Sequence, residues 1–162
     1  MAEESKVRHP VVRIDVRIQV GADRMAATDD PLFLGLRGPA GREFRLSPAK
    51  GHALRRGKED HYVLAAAEAP ETNVEHPNFN DPTQPALAAG GVAGVYLRKG
   101  LEPIPNVRAL GEMDDRLEVE AVTVEVAAEG LAEPLRFARR GPIWLGLVSG
   151  LFLEIPPAAD GA

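Results

Sequence analysis

Carboxylates are concentrated at two places in the sequence where they could bind a metal ion together. The candidate ligands lie in two polar segments and are Asp23, Asp29, Asp30, Glu59 and Asp60. Calcium takes roughly six to eight oxygen ligands from carboxylates, carbonyls and water. If both segments are loops at one end of a sheet structure, these side chains could converge on one calcium ion. The alternative is that Thr28 and Asp29 only hydrogen-bond to backbone N–H groups of their own loop, as in Asx and ST turns.

The segment from Gly35 to Lys58 is basic, with seven Lys or Arg residues and one acid, Glu43. The residues that could form a patch for an anionic surface are Arg37, Arg42, Arg55, Arg56 and Lys58. At a charged membrane each such cation contributes about 1 kcal/mol. The alternative is a solvated sheet face with scattered charge. The net charge of −5 argues against binding to nucleic acid.

The other reactive side chains form no recognisable catalytic pattern. The histidines lie on separate segments without metal-ligand spacing and are His9, His52, His61 and His76. Neither Ser47 nor Ser149 lies in a nucleophile-elbow sequence. Asp60 and His61 are adjacent on a predicted strand, so their side chains point to opposite faces. The chain has no cysteine for disulfides or thiolate chemistry. We therefore expect no enzyme activity and no cofactor other than calcium.

The chain length of 162 residues suits one domain, which would bury about two thirds of its unfolded surface. The first residues are acidic and polar, with no apolar core behind them, which is unlike a signal peptide. No apolar run approaches the ~20 residues that span a bilayer. We expect a cytoplasmic protein.

Alternation of apolar and polar residues predicts β-strands throughout the chain. The clearest segment is Val12 to Val20, and the segment Leu117 to Val126 changes phase at Ala121-Val122, as a β-bulge would cause. Gly35 leaves a gap on one face of its strand, which a neighbouring group could fill. The other predicted strands are Leu32–Leu36, Arg42–Leu46, Asp60–Ala65, Val92–Arg98, Pro134–Ala138, Ile143–Val148 and Leu151–Ile155. Short strands separated by Gly and Pro turns predict an antiparallel β-sandwich of about eight strands, with Leu151–Ile155 as an added edge strand.

Three segments lie outside this strand pattern. Residues 1–10 are expected to form a flexible arm, residues 11–156 the sandwich, and residues 157–162 a tail. Residues 66–91, which contain four prolines, interrupt the sandwich as a long excursion. That excursion either contacts a partner or a second subunit, or is a poorly ordered surface loop.

The order of several motifs resembles the PLAT domain, the lipoxygenase-homology sandwich of lipoxygenases, pancreatic lipases, polycystins and clostridial alpha-toxin. Arg13 to Val20 is similar to the first strand, and AATDDPLFLGLRGPAGREFRL (residues 26–46) to the Gly-x-Gly-Thr-Asp loop and the strand after it. RRGKEDHYVL (residues 55–64), LEVEAVTVEV (residues 117–126) and EPLRFARRGPIWLG (residues 133–146) resemble later strands of the family. The chain departs from the pattern at Ala26 and Ala27, which replace loop glycines, and at Leu117, where members often have Trp.

The resemblance implies an eight-stranded sandwich that contacts lipid or another protein. It does not imply catalysis, because in the family the chemistry lies in other domains. It also implies that Asp29 and Asp60 occupy positions at which some members bind calcium. Only Met25 and Phe79 are apolar loop candidates for lipid insertion, since Trp144 is expected to be buried in a strand. We therefore favour contact with another protein or self-association. The alternative is a peripheral membrane module with calcium-assisted binding.

Overall fold

The computed structural model describes residues 8–39, 41–101 and 116–159, and its regular structure there consists of eight β-strands. Two short 3-10 turns, Pro77–Phe79 and Ala89–Gly91, lie between the fourth and fifth strands. In the described ranges, no helix is long and apolar enough to cross a membrane. The strands are β1 (Val11–Val20), β2 (Leu32–Arg37), β3 (Arg42–Arg45), β4 (Glu59–Leu64), β5 (Gly94–Lys99), β6 (Leu117–Ala128), β7 (Leu135–Leu145) and β8 (Phe152–Ile155).

The strands form two antiparallel sheets of four that face each other across an apolar core. The first sheet has the order β4-β1-β6-β7, and the second has the order β3-β2-β5-β8. Alternate side chains point inward because successive residues of a strand face opposite sides. Buried residues of the two facing layers include Ile14, Val16, Ile18, Leu32, Leu34, Leu36, Val95, Leu97, Val122 and Val124. The predicted all-β antiparallel sandwich of about eight strands is confirmed.

The phase change predicted in β6 is present as a bulge. The pairing of β6 with β1 shifts by one residue between Val119 and Ala121, so Glu120 is the extra residue. Val119 is buried before the shift, and Val122 is buried after it. The extra residue therefore returns the apolar side chains of β6 to the core.

The sequence predicts two strands where the structure has the single strand β7. The strand runs from Leu135 to Leu145 through the Arg139–Pro142 stretch that was expected to separate them, and its pairing with β6 shifts there, with Arg140 opposite Ala121 and Ile143 opposite Val119. Gly141 allows this close pairing, because a Cβ atom there would lie 2.2 Å from the Val119 carbonyl oxygen. The predicted continuation of the strand to Val148 is wrong, because the chain turns after Leu145 toward β8.

The excursion, residues 66–91, packs along the outer edges of β3 and β4. The Asn73 side chain accepts a hydrogen bond from the Val63 N–H and donates one to the His61 carbonyl, each at 2.8 Å. The Asn80 side chain accepts from the Arg45 N–H, also at 2.8 Å. These bonds satisfy backbone groups that an edge strand would otherwise present to solvent. The excursion thus covers both neighbouring strand edges of its own sandwich.

Residues near both ends of the described chain also pair with the rest of the sandwich. Pro10 forms a β-bridge with Ala88 of the excursion. After β8 the chain crosses to the first sheet, where Pro157 bridges Phe137 and the Ala158 N–H donates to the Arg136 carbonyl at 2.9 Å. The predicted C-terminal edge strand is therefore β8, and the residues that follow it cover part of the edge of β7.

The gap predicted at Gly35 is filled by Tyr96 of the neighbouring strand β5. A Cβ atom on Gly35 would lie 1.9 Å from Cζ of Tyr96, so the ring passes directly over the glycine. The Tyr96 hydroxyl donates to Glu43 of β3 at 2.8 Å. One aromatic side chain therefore crosses β2 and links the strands on either side of it.

Replacing Gly35 with alanine should destabilise the protein by about 1–3 kcal/mol, because the new methyl group forces Tyr96 away from β2 and from Glu43. The free energy of unfolding from urea denaturation measures this loss. Gly90→Ala is the matched control, since a Cβ atom at Gly90 meets nothing within 4 Å. Equal effects of the two substitutions would contradict the assigned role of Tyr96.

Candidate contact site at the loop end of the sandwich

Four connections meet at one end of the sandwich, which we call the loop end. They join β1 to β2 (21–31), β3 to β4 (46–58), β5 to β6 (100–116) and β7 to β8 (146–151). The strand pairing requires this, because Val20 pairs with Val119, Leu117 with Leu145, and Leu32 with Lys99. Residues 102–115 of the third connection lie outside the described residues. The two acidic segments of the sequence are thus both at the loop end.

The β1–β2 loop is held by hydrogen bonds within itself and to its neighbours. The Asp23 carboxylate accepts from the Met25 N–H at 2.9 Å, and the Thr28 hydroxyl accepts from the Asp30 N–H at 3.1 Å. These are the short-range turns expected of such side chains. The carbonyl of buried Ala26 accepts from the Glu118 N–H at 3.0 Å, which fixes the loop to β6.

Asp30 forms an ion pair with Lys99, the last residue of β5. The Lys99 side chain is fully buried, and the Asp30 side chain is 9% exposed. Lys99 continues the inward parity of Val95 and Leu97, so its position follows from the alternation of β5. The sequence pattern does not predict this position of Lys99, because the predicted strand ends at Arg98.

Asp60 is used within the first sheet and the β3–β4 loop. Its Oδ2 atom accepts from the Leu54 N–H at 2.6 Å and from the Tyr62 hydroxyl at 3.0 Å. Burial raises the pKa of the Tyr62 hydroxyl, and the neighbouring Asp60 charge raises it further. Tyr62 therefore remains a neutral hydrogen-bond donor to Asp60.

The two remaining candidate ligands face cations near the surface. Asp29 lies 3.5 Å from Arg55, and Glu59 lies 3.3 Å from Arg17. Asp29 lines a cleft of about 210 Å³ together with Asp30 and residues of the β3–β4 loop, among them Arg55. Each of the five candidate carboxylates contacts a different group of the protein. Across residues 8–39, 41–101 and 116–159, no three His, Asp or Glu side chains gather in a metal-binding group. Calcium binding stays a prediction.

The five cations chosen from the sequence do not form one patch. Arg55, Arg56 and Lys58 lie in the β3–β4 loop, and within the described part of the chain Arg56 and Lys58 form no ion pair. Arg37 instead pairs with Glu154 on the solvent face of the second sheet. Arg42 donates to the carbonyls of Asp81 at 2.6 Å and Phe79 at 3.2 Å, so it anchors the excursion.

Apolar side chains are exposed on three of the connections at the loop end. Val148 is 92% exposed, Leu147 is 55% exposed and Met25 is 53% exposed, and Leu101 is exposed next to β5. The sequence indicated only Met25 here, because Leu147 and Val148 were assigned to a strand. Trp144 is half-buried, with the Arg116 guanidinium 4.6 Å from the centre of its ring.

His61, which follows Asp60 in the sequence, contacts Asp15 of β1 instead of Asp60. Its Nε2 atom lies 2.7 Å from Oδ1 of Asp15, to which Arg13 donates two further hydrogen bonds. The bond from Arg13 is the main reason that the pKa of Asp15 is lowered, with a smaller contribution from His61. Ser47, the candidate nucleophile, accepts from Arg45 instead. Arg13, Asp15 and His61 therefore form a cluster of hydrogen-bonded polar side chains on the first sheet.

Comparisons with known proteins identify the class of fold. No protein-family model and no curated protein matches the sequence. Solved structures of two kinds of enzyme do match in three dimensions. Alpha-toxin from an avian strain of Clostridium perfringens is 14% identical with a TM-score of 0.56, and it covers 95% of this chain. Coral 8R-lipoxygenase, in which calcium acts via a C2-like domain, is 11% identical with a TM-score of 0.57, and it covers 90% of this chain.

The part of each enzyme that matches is its PLAT/C2-like β-sandwich domain. The chain spans about a third of the toxin chain (34%) and about a sixth of the lipoxygenase chain (17%). At this level of identity the likeness shows the fold, which is a PLAT/C2-like sandwich.

Glu118 at the start of β6 gives a pH-dependent test of the loop end. Its side chain packs against Gly21, and burial raises the pKa of its carboxyl, assisted by the charges of Asp23 and Glu120. A pKa above the unfolded value means that ionisation of Glu118 costs stability as the pH rises through its folded pKa. Glu118→Gln should therefore raise the Tm at neutral pH, and this gain should vanish at acidic pH.

Thermal unfolding across a pH series measures the effect of Glu118→Gln. Glu129→Gln, an exposed substitution of the same kind, is the control. A gain in Tm that persists after carboxyl protonation, or one that Glu129→Gln reproduces, would contradict the role given to Glu118.

Proposed function

We propose that this chain is a non-catalytic contact module that docks its loop end onto an anionic membrane surface. The observation that carries the proposal is the exposure of Leu147, Val148, Leu101 and Met25 on three separate connections, at the same end of the sandwich as Arg56 and Lys58. Apolar tips and free cations at one end are what a peripheral contact with a lipid surface requires. The sequence favours a protein partner, because fewer apolar residues are recognisable there as loop residues.

The magnitudes support reversible binding. Full burial of one Val, Leu or Met side chain contributes about 1.5–3 kcal/mol, and each cation near an anionic surface contributes about 1 kcal/mol. The side chains are only partly inserted in a peripheral contact, so the total is that of a domain that binds and dissociates. Lipids of the cytoplasmic leaflet provide the anionic surface, and we propose a cytoplasmic location on this ground.

Absence of catalysis is part of the proposal. It is supported by the engagement of the candidate reactive groups with one another, as in the contacts of Asp15 with His61 and of Asp60 with Tyr62. It is also supported by the match to a domain that is a small part of the lipoxygenase and toxin chains.

Sedimentation with vesicles tests the docking. Wild type should bind vesicles containing phosphatidylserine more than neutral vesicles, with binding that weakens as salt is added, because salt screens the cations. The variant Leu147→Ser/Val148→Ser should lose binding at all salt concentrations, and Arg56→Gln/Lys58→Gln should lose the preference for anionic vesicles. Each experiment is run with calcium and with a chelator, since the calcium-assisted form of this function is still a prediction.

The control variant Arg8→Gln/Arg136→Gln removes the same charge away from the loop end. Arg8 precedes β1 at the opposite end, and Arg136 lies near the start of β7, opposite Glu125 of β6. Equal loss of binding in both double variants would indicate a net-charge effect and contradict docking by the loop end. No difference between anionic and neutral vesicles for the wild type would also contradict it.

Self-association through the second sheet is the competing function, and a specific observation favours it. The solvent face of this sheet carries two exposed rings near its edges, Phe79 at 79% and Phe152 at 58% exposure. Between them, Arg98 pairs with Glu43, and the Tyr96 ring contacts Phe152 with centres 5.7 Å apart. This face could pack against the same face of a second copy, because its rings are exposed and the charges between them are already paired.

Sedimentation velocity over a concentration series distinguishes this function from membrane docking. Self-association predicts a dimer that Phe79→Ser/Phe152→Ser converts to a monomer, whereas the loop-end variant Leu147→Ser/Val148→Ser stays dimeric. A wild-type monomer at the highest soluble concentration would contradict self-association and leave membrane docking unaffected.

A further inference from the structure

We propose that Lys99 is the permanent cation of the β1–β2 loop and takes the structural role that a calcium ion has in a metal-organised loop end. The Lys99 side chain is fully buried, and its ammonium group pairs with the Asp30 carboxylate. Lysine is almost never fully buried without a partner, so this pairing accounts for its position. The ammonium group therefore supplies positive charge to the acidic loop from within the chain.

Lys99 is placed to organise two of the docking connections together. Its side chain holds Asp30 of the β1–β2 loop, and its backbone N–H donates to the Leu151 carbonyl of the β7–β8 connection at 2.8 Å. The next residue, Gly100, donates to the Pro31 carbonyl at 2.7 Å. The end of β5 thus joins the loop that carries Met25 to the connection that carries Leu147 and Val148.

Two other carboxylates of the loop end also contact groups of the protein, although less deeply buried ones in the case of Asp29. Asp29 faces Arg55, and Asp60 accepts from a backbone N–H and a tyrosine hydroxyl. A metal ion would have to displace these partners and would meet the ammonium charge of Lys99 nearby. We infer that the loop end keeps one arrangement with or without calcium.

The consequence for binding is that docking is constitutive instead of calcium-gated. This consequence rests on the proposed function, whereas the role of Lys99 in holding the loop end does not. The tests below use no vesicles, so their failure is distinguishable from a failure of membrane docking.

Thermal unfolding of the wild type with calcium, with magnesium and with a chelator is the first test. The proposal predicts the same Tm in all three conditions, because the carboxylates of the β1–β2 and β3–β4 loops already have protein partners within the described residues. A Tm that calcium raises and magnesium does not would overturn it, since a ligand that binds only the folded state stabilises that state.

Substitution of Lys99 is the second test. Lys99→Met keeps most of the side-chain length and leaves Asp30 buried without its cation, so the Tm should fall by about 10 °C. The double variant Lys99→Met/Asp30→Asn removes both charges and should recover a large part of that loss. A loss in Lys99→Met that Asp30→Asn does not relieve would show that packing, and not the ion pair, holds the loop.

The exposed pair of the same loop end provides the control. Arg55→Met should change the Tm little, because the Asp29 side chain is 85% exposed and a surface pair contributes little. Equal effects of Lys99→Met and Arg55→Met would contradict the proposal. If Lys99→Met fails to fold, Asp30→Asn alone decides the same question, because it leaves the buried ammonium without its carboxylate and should also lower the Tm.

Discussion

The structure depends on one constraint, which is that the backbone N–H and C=O groups of its edge strands need hydrogen-bond partners. Each sheet buries one face in the core, so the edge strands lie at the sides of the sandwich. An edge strand left open exposes a row of unpaired N–H and C=O groups. The excursion supplies side-chain amides from Asn73 and Asn80 to the edges of β4 and β3. On the other side, the residues after β8 pair with β7. The sides of the sandwich are used for closure, which leaves its ends and faces for contact.

The fold could be predicted because its signals are local. Alternation in β1 and the phase change in β6 are properties of a few adjacent residues, and both appear where the sequence placed them or within two residues. The continuity of β7 was not predictable from such signals. It depends on Gly141 meeting the backbone of Val119, a contact between residues that are distant in sequence.

The site was less predictable for the same reason. Aspartates in a loop indicate a site for a cation, but not whether the cation is a metal ion or a side chain. Lys99 is 69 residues from Asp30, and only the pairing of β2 with β5 brings the two loops together. The exposure of Leu147 and Val148 was missed because short apolar runs fit a strand and a turn equally well. In the basic segment, cations that are close in the sequence make different tertiary contacts and therefore have different roles.

The covering of the strand edges has a consequence for a domain that gathers on a surface. Binding to a membrane raises the local concentration of a protein and brings neighbouring copies into a common orientation. Under these conditions open edges would be ready templates for strand-to-strand pairing between copies. The amide groups of Asn73 and Asn80 and the segment after β8 occupy positions where such pairing would begin. A sandwich built in this way can be densely arrayed and still remain a set of separate molecules.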